Sequence, residues 1–419
     1  MWIKNYSELA ASPQRKIALS LIEAALDSIR TEEAIRKNLE LKKGKLTIKN
    51  KNFDLKKFKK ISVIGFGKVA CEAAPAIEGI LREKIASGAV IGNIAAPNVC
   101  QVIKTYSGTH PTPSEENFLI TKNLMEIAAG AGEDDLVIVV VSGGGSAMLC
   151  WPASECFLGK KLYEDSIKSD IPIEELNVLR KHLSGLKGGG LASLLYPATV
   201  IGLIFSDVPS NQFDMVASGP TYFDPTTVND AKKIAKKYGL KNYPFSETPK
   251  EPIYFKNVFN FPIVSNLDAL RAMKNRAGEL GLTSKIFSSD IAKNQKKAIE
   301  IFKSVKFKGV AIFAGEPEAA IPKRHGKGGR NQQLTLEMLS RIKDNQLFVS
   351  FASDGQDNIP VTGAIADKLT AEKAKKLKLN SKQFAVRFDA FNFFRQTKDL
   401  IFTQSTNENV SDLMILLSE

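Results

Sequence analysis

A run of branched apolar residues, Leu136-Val-Ile-Val-Val-Val141, passes without interruption into Ser142-Gly-Gly-Gly-Ser146. Such a run fits a strand buried on both faces, the environment of a parallel sheet. The three glycines cannot simply extend it. They permit a tight turn with positive φ and present N–H groups that no Cβ shields. Ala147-Met-Leu149 suits a helix start, which places the loop at a predicted helix N-terminus. Unpaired donors and the positive dipole end there favour an anion, so residues 142–146 are predicted to cradle a phosphate or carboxylate. The plainer alternative is an ordinary glycine-rich βα turn, because isolated glycine motifs are weak signals.

The same order of elements recurs along the chain. A short apolar strand, Lys60-Ile-Ser-Val-Ile64, meets Gly65-Phe-Gly-Lys68, and a helix is predicted from Val69. This is an incomplete dinucleotide fingerprint, since Ala70 stands where Gly-x-Gly-x-x-Gly has its third glycine. It is not a Walker A loop, because no Ser or Thr follows Lys68. Further strands are predicted at 88–94 and 199–205, with helices at 114–129 and 173–195. The strand at 199–205 runs into Ser206-Asp207, which puts a carboxylate at the strand end where open α/β sheets bind ligands. Residues 232–256, with Pro244, Pro249 and Pro252 among charged residues, read as a linker or a peripheral turn region. Beyond it come strands at 262–265, 283–288, 309–314 and 346–352, with helices at 267–280, 292–303 and 331–344. Strands alternating with helices predict an α/β fold of two domains with largely parallel, doubly wound sheets. At 419 residues two domains are the default. The boundary is placed near Pro249, giving domains 1–248 and 249–419.

Composition narrows the function classes. The chain is 43% hydrophobic and 25% charged, and no window approaches the roughly 18 apolar residues of a membrane span. Met1-Trp-Ile-Lys-Asn-Tyr lacks the order of a secretory signal, so a cytoplasmic protein without membrane association is expected. Ile17, Leu21, Ile22, Ala25, Leu26 and Ile29 recur at helical spacing and predict an amphipathic docking helix. Cys71, Cys100, Cys150 and Cys156 form no Cys-x-x-Cys pair, and His110, His182 and His325 are scattered. Reduced thiols are therefore expected, and no zinc site. The net charge of +13 raises the question of nucleic acid. Its densest contributor, residues 41–60, has lysines punctuated by Leu46, Ile48, Phe53, Leu55 and Phe58, as in edge strands with a solvated lysine face. No nucleic-acid motif accompanies it, so no nucleic-acid partner is expected, and the charge would instead steer anionic substrates.

The predicted strand ends and glycine turns collect Lys68, the 142–146 loop, Asp207, Glu316 and Asp354. They also collect the Lys187-Gly-Gly-Gly190 turn and the basic loop His325-Gly-Lys-Gly-Gly-Arg330. Fixed cations, backbone N–H groups and separated carboxylates are the parts of a phosphoryl-transfer site, where catalysis is mostly positioning and charge neutralisation. Asp207, Glu316 and Asp354 are candidate Mg2+ ligands, since Mg2+ prefers oxygen donors. A carboxylate can also accept the proton of an attacking hydroxyl. Each has a duller reading. Asp207 and Asp354 could cap the turns that follow them, and Arg180, Lys181 and Lys187 could be the solvated face of a helix.

Taken in order, these segments resemble the class II glycerate kinase family, which couples a DUF4147-type domain to a C-terminal MOFRL domain. The resemblance rests on Gly65-Phe-Gly-Lys68-Val-Ala, Gly108-Thr-His-Pro-Thr-Pro113, Ser142-Gly-Gly-Gly-Ser-Ala147, Asn177-Val-Leu-Arg-Lys-His-Leu-Ser184, Ser206-Asp-Val-Pro209 and Ala217-Ser-Gly-Pro-Thr221. It continues through Gly315-Glu316, Gly326-Lys-Gly-Gly-Arg-Asn-Gln332 and Ala352-Ser-Asp-Gly355, so it spans nearly the whole chain. It implies transfer of the γ-phosphoryl group of ATP to a hydroxyl of D-glycerate, typically the 2-hydroxyl, with Mg2+, at a cleft between the domains. The MOFRL-like part would cover about 308–415. By resemblance Lys68 and Arg330 serve catalysis, Asp207 is general base or metal ligand, and residues Ser142, Gly143, Gly144, Gly145 and Ser146 hold phosphate or substrate with Lys187 and Glu316. Several positions depart from the family pattern. Ser210-Asn211-Gln212 replaces Gly-Asp-Asp, Ser114 replaces an aspartate, and Thr403-Gln-Ser-Thr-Asn-Glu-Asn-Val410 has lost glycines at 404 and 407. Phe388-Asp-Ala-Phe391 stands for Asn-Asp-Ser-Tyr. Two rivals remain: an oxidoreductase of the hydroxypyruvate reductase type, and a non-catalytic binding homologue. The oxidoreductase lacks the acidic residue on the next strand that would hold a ribose. Nothing in the sequence sets an oligomeric state.

Overall fold

The computed structural model describes residues 1–207, 212–291, 294–319, 321–404 and 408–419. They form two compact units, Thr31–Val264 and a second made of Met1–Arg30 with Ser265–Glu419.

In the first unit a helix, Thr31–Asn38, leads into a small antiparallel meander of β1 (Leu39–Lys42), β2 (Lys45–Ile48) and β3 (Lys51–Asp54). Leu46, Ile48 and Phe53 are buried beneath it while the lysines stay outside, as the sequence pattern requires. The main sheet follows with β4 (Lys60–Phe66), β5 (Ile85–Gly92), β6 (Ile103–Ser107), β7 (Asp135–Ser142), β8 (Thr199–Phe205) and β9 (Val258–Val264). Their order is β6-β5-β4-β7-β8-β9 and every neighbouring pair is parallel. Residues Leu136 to Val141 of β7 are at most 1% exposed, the two-sided burial that their branched side chains anticipate.

Two expectations need correction here. The helix predicted over 173–195 is two, Ile173–Leu183 and Gly190–Leu195. The first stops because Ser184 Oγ accepts from the N–H groups of Leu186 and Lys187, satisfying donors outside the helix. A helix, Val228–Lys237, runs into the supposed linker, started by a reciprocal capping box between Thr227 and Asp230. The compact units divide at Val264/Ser265, because β9 hydrogen-bonds to β8 and so stays with the first sheet.

In the second unit a short helix, Tyr6–Leu9, precedes the longer helix Pro13–Ser28. Ser12 caps it by accepting from the Arg15 N–H, and proline occupies the first turn. Its apolar stripe, Ala18, Leu19, Leu21, Ile22, Ala25 and Leu26, is fully buried, and the helix packs on Asn266–Glu279. The sheet comprises β10 (Ser284–Ser288), β11 (Gly309–Gly315), β12 (Gln346–Ala352), β13 (Gly363–Ala366), β14 (Leu400–Ile401) and β15 (Asp412–Ser418). Its order is β10-β11-β15-β12-β13-β14; β10 and β11 are parallel, and the other neighbours antiparallel. The expected largely parallel sheet is therefore mixed in this half. The cause is the C-terminal strand, whose Leu413-Met-Ile-Leu-Leu417 enters between β11 and β12 and is buried throughout.

Cys150 and Cys156 form a disulfide across the turn that starts the helix Ala153–Lys168, with Cα atoms 5.8 Å apart, so the expectation of reduced thiols holds only for Cys71 and Cys100. Among the described residues no helix is long and apolar enough to cross a membrane.

Arg15 joins the two ends of the chain within the second unit. Its side chain is 0% exposed, with Nε and Nη2 donating to Asp367 and Nη1 to Asp399, each at 2.7 Å. Burial would raise the Asp367 pKa, but the hydrogen bonds and charge of Arg15, with the Thr370 N–H, hold it below the ordinary value. A lowered carboxylate pKa gives stability that is present above the unfolded value of about 3.9 and is lost as pH falls through the folded value. Arg15→Ala leaves the buried Asp367 carboxylate without its cation and Asp399 with Lys373 alone. It should destabilise this unit by about 3–5 kcal/mol, read as a lower urea midpoint at pH 7, with the difference from wild type shrinking in acid.

Candidate active site

The ends of β4 and β7 meet because the two strands run parallel in register, Phe66 beside Val141. The Lys68 N–H donates to the Gly143 carbonyl at 2.8 Å, tying the two glycine turns together. Ser142 works inward. It is 1% exposed, and its Oγ accepts from the Val69 N–H at 3.3 Å and donates to the Phe66 carbonyl at 3.4 Å. Gly67, at φ +111°, passes so close to Ser142 that any side chain would overlap it. A Cβ on Gly143 would overlap the Asp207 carboxylate, which places Asp207 directly against the loop. A Cβ on Gly144 would lie 3.1 Å from both Lys68 Cγ and His110 Cδ2, so Lys68 and His110 flank the same turn. Ser146 Oγ pairs with Ser218 Oγ at 2.9 Å, and Ser218 donates to Asn177 Oδ1 at 2.9 Å.

Among the described residues, the N–H groups of Gly143, Gly144, Gly145 and Ser146 donate to no carbonyl or side chain. The helix that follows, Gly145–Met148, is a single turn. What the loop offers an anion is therefore the unshielded N–H groups and the neighbouring Lys68, more than a macrodipole.

The cations around this loop differ in state. Lys187, anticipated as a phosphate or substrate ligand, is 1% exposed; its Nζ donates to the Leu149 carbonyl at 2.7 Å and is paired with Glu155. It is committed to the interior, since a buried ammonium must be paired. Lys181 pairs with the buried Asp224 at 3.3 Å. Neither belongs to a solvated face. Arg180, on the same helix, is partly buried, and among the described residues it makes no ion pair or hydrogen bond. Burial pushes its pKa down to about 10. His110 sits beside Lys68; desolvation, then the charges of Lys68 and Arg180, push its pKa down to about 4 although much of its surface is open. Sequence reasoning named neither His110 nor Arg180 for the site. Their signal lay in the quoted 108–113 and 177–184 segments, but charge alone could not show which residues stay unpaired.

The second unit has a cavity of about 490 Å³ whose walls include Arg330, Asp357, Asn358, Gln333 and Asp412. Arg330 begins the helix Arg330–Leu339. That helix start is already occupied, because the buried Asp357 carboxylate accepts the N–H groups of Asn331 and Gln332 at 3.0 and 2.9 Å. The Arg330 guanidinium is held by Asp412 and by Glu316, the latter at 3.1 Å. Burial pushes the Asp412 carboxyl up to about 7 against the opposing pull of Arg330. Asp412 as the partner of Arg330, and Asp357 as the acceptor at the start of its helix, were invisible in the sequence. Glu316 is thus an ion-pair partner, and Asp354 caps its own turn by accepting the Gln356 N–H at 2.9 Å. Among the described residues no group of three or more His, Cys, Asp or Glu is arranged to hold a metal ion. Asp207 belongs to the first unit, and Glu316 and Asp354 to the second. The family departures at Ser210 and Asn211, and at Ser405, Thr406 and Asn407, lie outside the described residues.

Residues 17–248 match the model of a family described as a domain of unknown function (DUF4147), and residues 309–412 that of the MOFRL family. A glycerate 2-kinase of Pyrococcus horikoshii is 32% identical over 433 residues, spanning 96% of this chain and 97% of that protein. The chain belongs to the glycerate 2-kinase family. A D-glycerate 2-kinase of Thermotoga maritima is 30% identical over 96% of this chain and 97% of its own length. A glycerate kinase crystal structure from the same organism superposes with a TM-score of 0.83, at 27% identity, covering 96% of this chain and 99% of that one. A protein of Agrobacterium vitis that is 29% identical over 85% of this chain and 98% of its own length carries a hydroxypyruvate reductase name. The glycerate 2-kinase architecture accounts for both halves of the sequence resemblance.

With three histidines in the chain, the ring signals can be assigned one by one. The His110 resonances should titrate near pH 4, and Lys68→Ala should move that midpoint upward, since it removes a repelling charge. An unchanged midpoint in the variant would separate Lys68 from the His110 turn.

Proposed function

We propose that this protein transfers the γ-phosphoryl group of ATP to the 2-hydroxyl of D-glycerate, giving 2-phosphoglycerate and ADP. One observation carries the reading: four N–H groups at 143–146, unengaged among the described residues and beside Lys68, in a chain similar to glycerate 2-kinases along its length. Phosphoryl transfer needs little covalent help and much charge neutralisation. In this reading the loop N–H groups receive phosphate oxygens and Lys68 neutralises the transferring group. Asp207 accepts the proton of the attacking hydroxyl as the new oxygen–phosphorus bond forms and the bond to the ADP oxygen breaks. Arg330, held by Asp412 and Glu316, serves as a fixed cation in the second unit, where its charge is largely offset. Mg2+ would supply further neutralisation of the ATP phosphates; one carboxylate plus phosphate oxygens is an ordinary set for it, and Asp207 fits that part. We place this activity in the cytoplasm.

The reductase alternative is favoured by a relative's name alone. The Gly65–Gly67 turn is packed hard against Ser142, and β5, Ile85–Gly92, carries no acidic residue for a ribose. Incubation with ATP, Mg2+ and D-glycerate should give a phosphorus resonance of 2-phosphoglycerate, without NADH oxidation on hydroxypyruvate. Product phosphorylated at the 3-position would overturn the regiochemistry, and NADH turnover without phosphorylation would overturn the class. Gly143→Ala, which forces Asp207 away from the loop, and Lys68→Ala should each lower kcat about 10²–10³-fold at unchanged melting temperature.

A further inference from the structure

Lys68 and Arg180 are cations beside the 142–146 loop that are only partly exposed and without a side-chain partner among the described residues, and Lys68 is already assigned to the transferring phosphate. The other inward cations show what the fold ordinarily does with such a charge: Lys187 has Glu155 and Lys181 has Asp224. A desolvated guanidinium with no carboxylate costs free energy in the empty protein, so an anion from outside is the natural partner. Its position says where. Asn177 and Arg180 are three residues apart on the helix Ile173–Leu183 and share a face. Asn177 reaches Ser146 through Ser218, and Arg180 lines a small cavity of about 20 Å³ with Ser146, Pro111 and Pro113; Lys187 and Glu155 line the same cavity, their charges already offset by each other.

We propose that Arg180 recognises the carboxylate of the hydroxy-acid substrate, gripping it from the wall of the cavity beside Ser146. This rests on the kinase reading and adds to it the residue that selects an acid over a neutral alcohol. Size favours a carboxylate over an ATP phosphate: the cavity holds little more than one water-sized group, which suits the end of a three-carbon acid. The planar guanidinium can grip such a group with two parallel N–H donors. Burial depresses the Arg180 pKa, as for a charge awaiting its counter-ion, yet leaves it cationic at neutral pH.

The test compares wild type with Arg180→Met and Arg180→Lys, using D-glycerate, glycerol as the neutral alcohol, and ATP. In Arg180→Met the KM for D-glycerate should rise about 10²-fold or more while the KM for ATP stays within twofold. The preference for D-glycerate over glycerol should fall by the same factor. Arg180→Lys should recover part of the loss, because charge returns without the fork. The ligand-free melting temperature of Arg180→Met should equal or exceed that of wild type, since an unpaired charge is removed, and D-glycerate should no longer raise it. A lower ligand-free melting temperature with kcat and both KM values unchanged would make Arg180 structural. A raised KM for ATP alone would give it to the nucleotide. Absence of any phosphorylation by wild type would instead sink the kinase reading, which keeps the two failures apart.

Discussion

The hydrogen bond from the Lys68 N–H to the Gly143 carbonyl is the contact on which the first unit's site depends. It exists because β4 and β7 are parallel neighbours in register from Lys60 beside Asp135 to Phe66 beside Val141. A shift of one residue would turn the buried face of each strand outward and separate the two turns, so the apolar packing that sets the register also sets the site. Ser142 secures the junction from inside, between the Phe66 carbonyl and the Val69 N–H. The glycines leave room for Ser142 and for Asp207 where a side chain would collide.

Charge is handled in opposite ways in the two units. Arg330 is balanced by Asp412 and Glu316, and Asp357 fills the helix start beside it. That arrangement fixes the guanidinium in orientation but leaves little net positive field. Beside the 142–146 loop, Arg180 has no carboxylate among the described residues, and its charge, with that of Lys68, is felt at His110. An incoming anion therefore meets unspent charge in the first unit and a pre-neutralised cluster in the second. Buried ion pairs that do have both members, Lys187 with Glu155 and Arg15 with Asp367 and Asp399, hold helices and turns in place around these features.

Much of the first sheet was legible because its central strands β4, β7 and β8 are nearly continuous apolar runs, and β8 was bounded to the residue. The second sheet was not. Its C-terminal strand has the same apolar character as the others, but nothing local says that it inserts antiparallel between β11 and β12. The helix Val228–Lys237 was hidden under prolines and lysines, although its Thr227–Asp230 capping box was there to be read.

For the site, the sequence by itself determined the chemistry on offer: a glycine loop after a buried strand, Lys68 at its mouth, an aspartate after the next strand. These follow from backbone sterics and hydrophobic pattern, which are local. Only the tertiary structure decided which charges are available. Lys187 and Arg180 look alike along the chain and line one cavity, yet one is neutralised by Glu155 and the other, among the described residues, has no ion-pair partner. The physical reason is that pairing depends on which distant side chain shares a desolvated space.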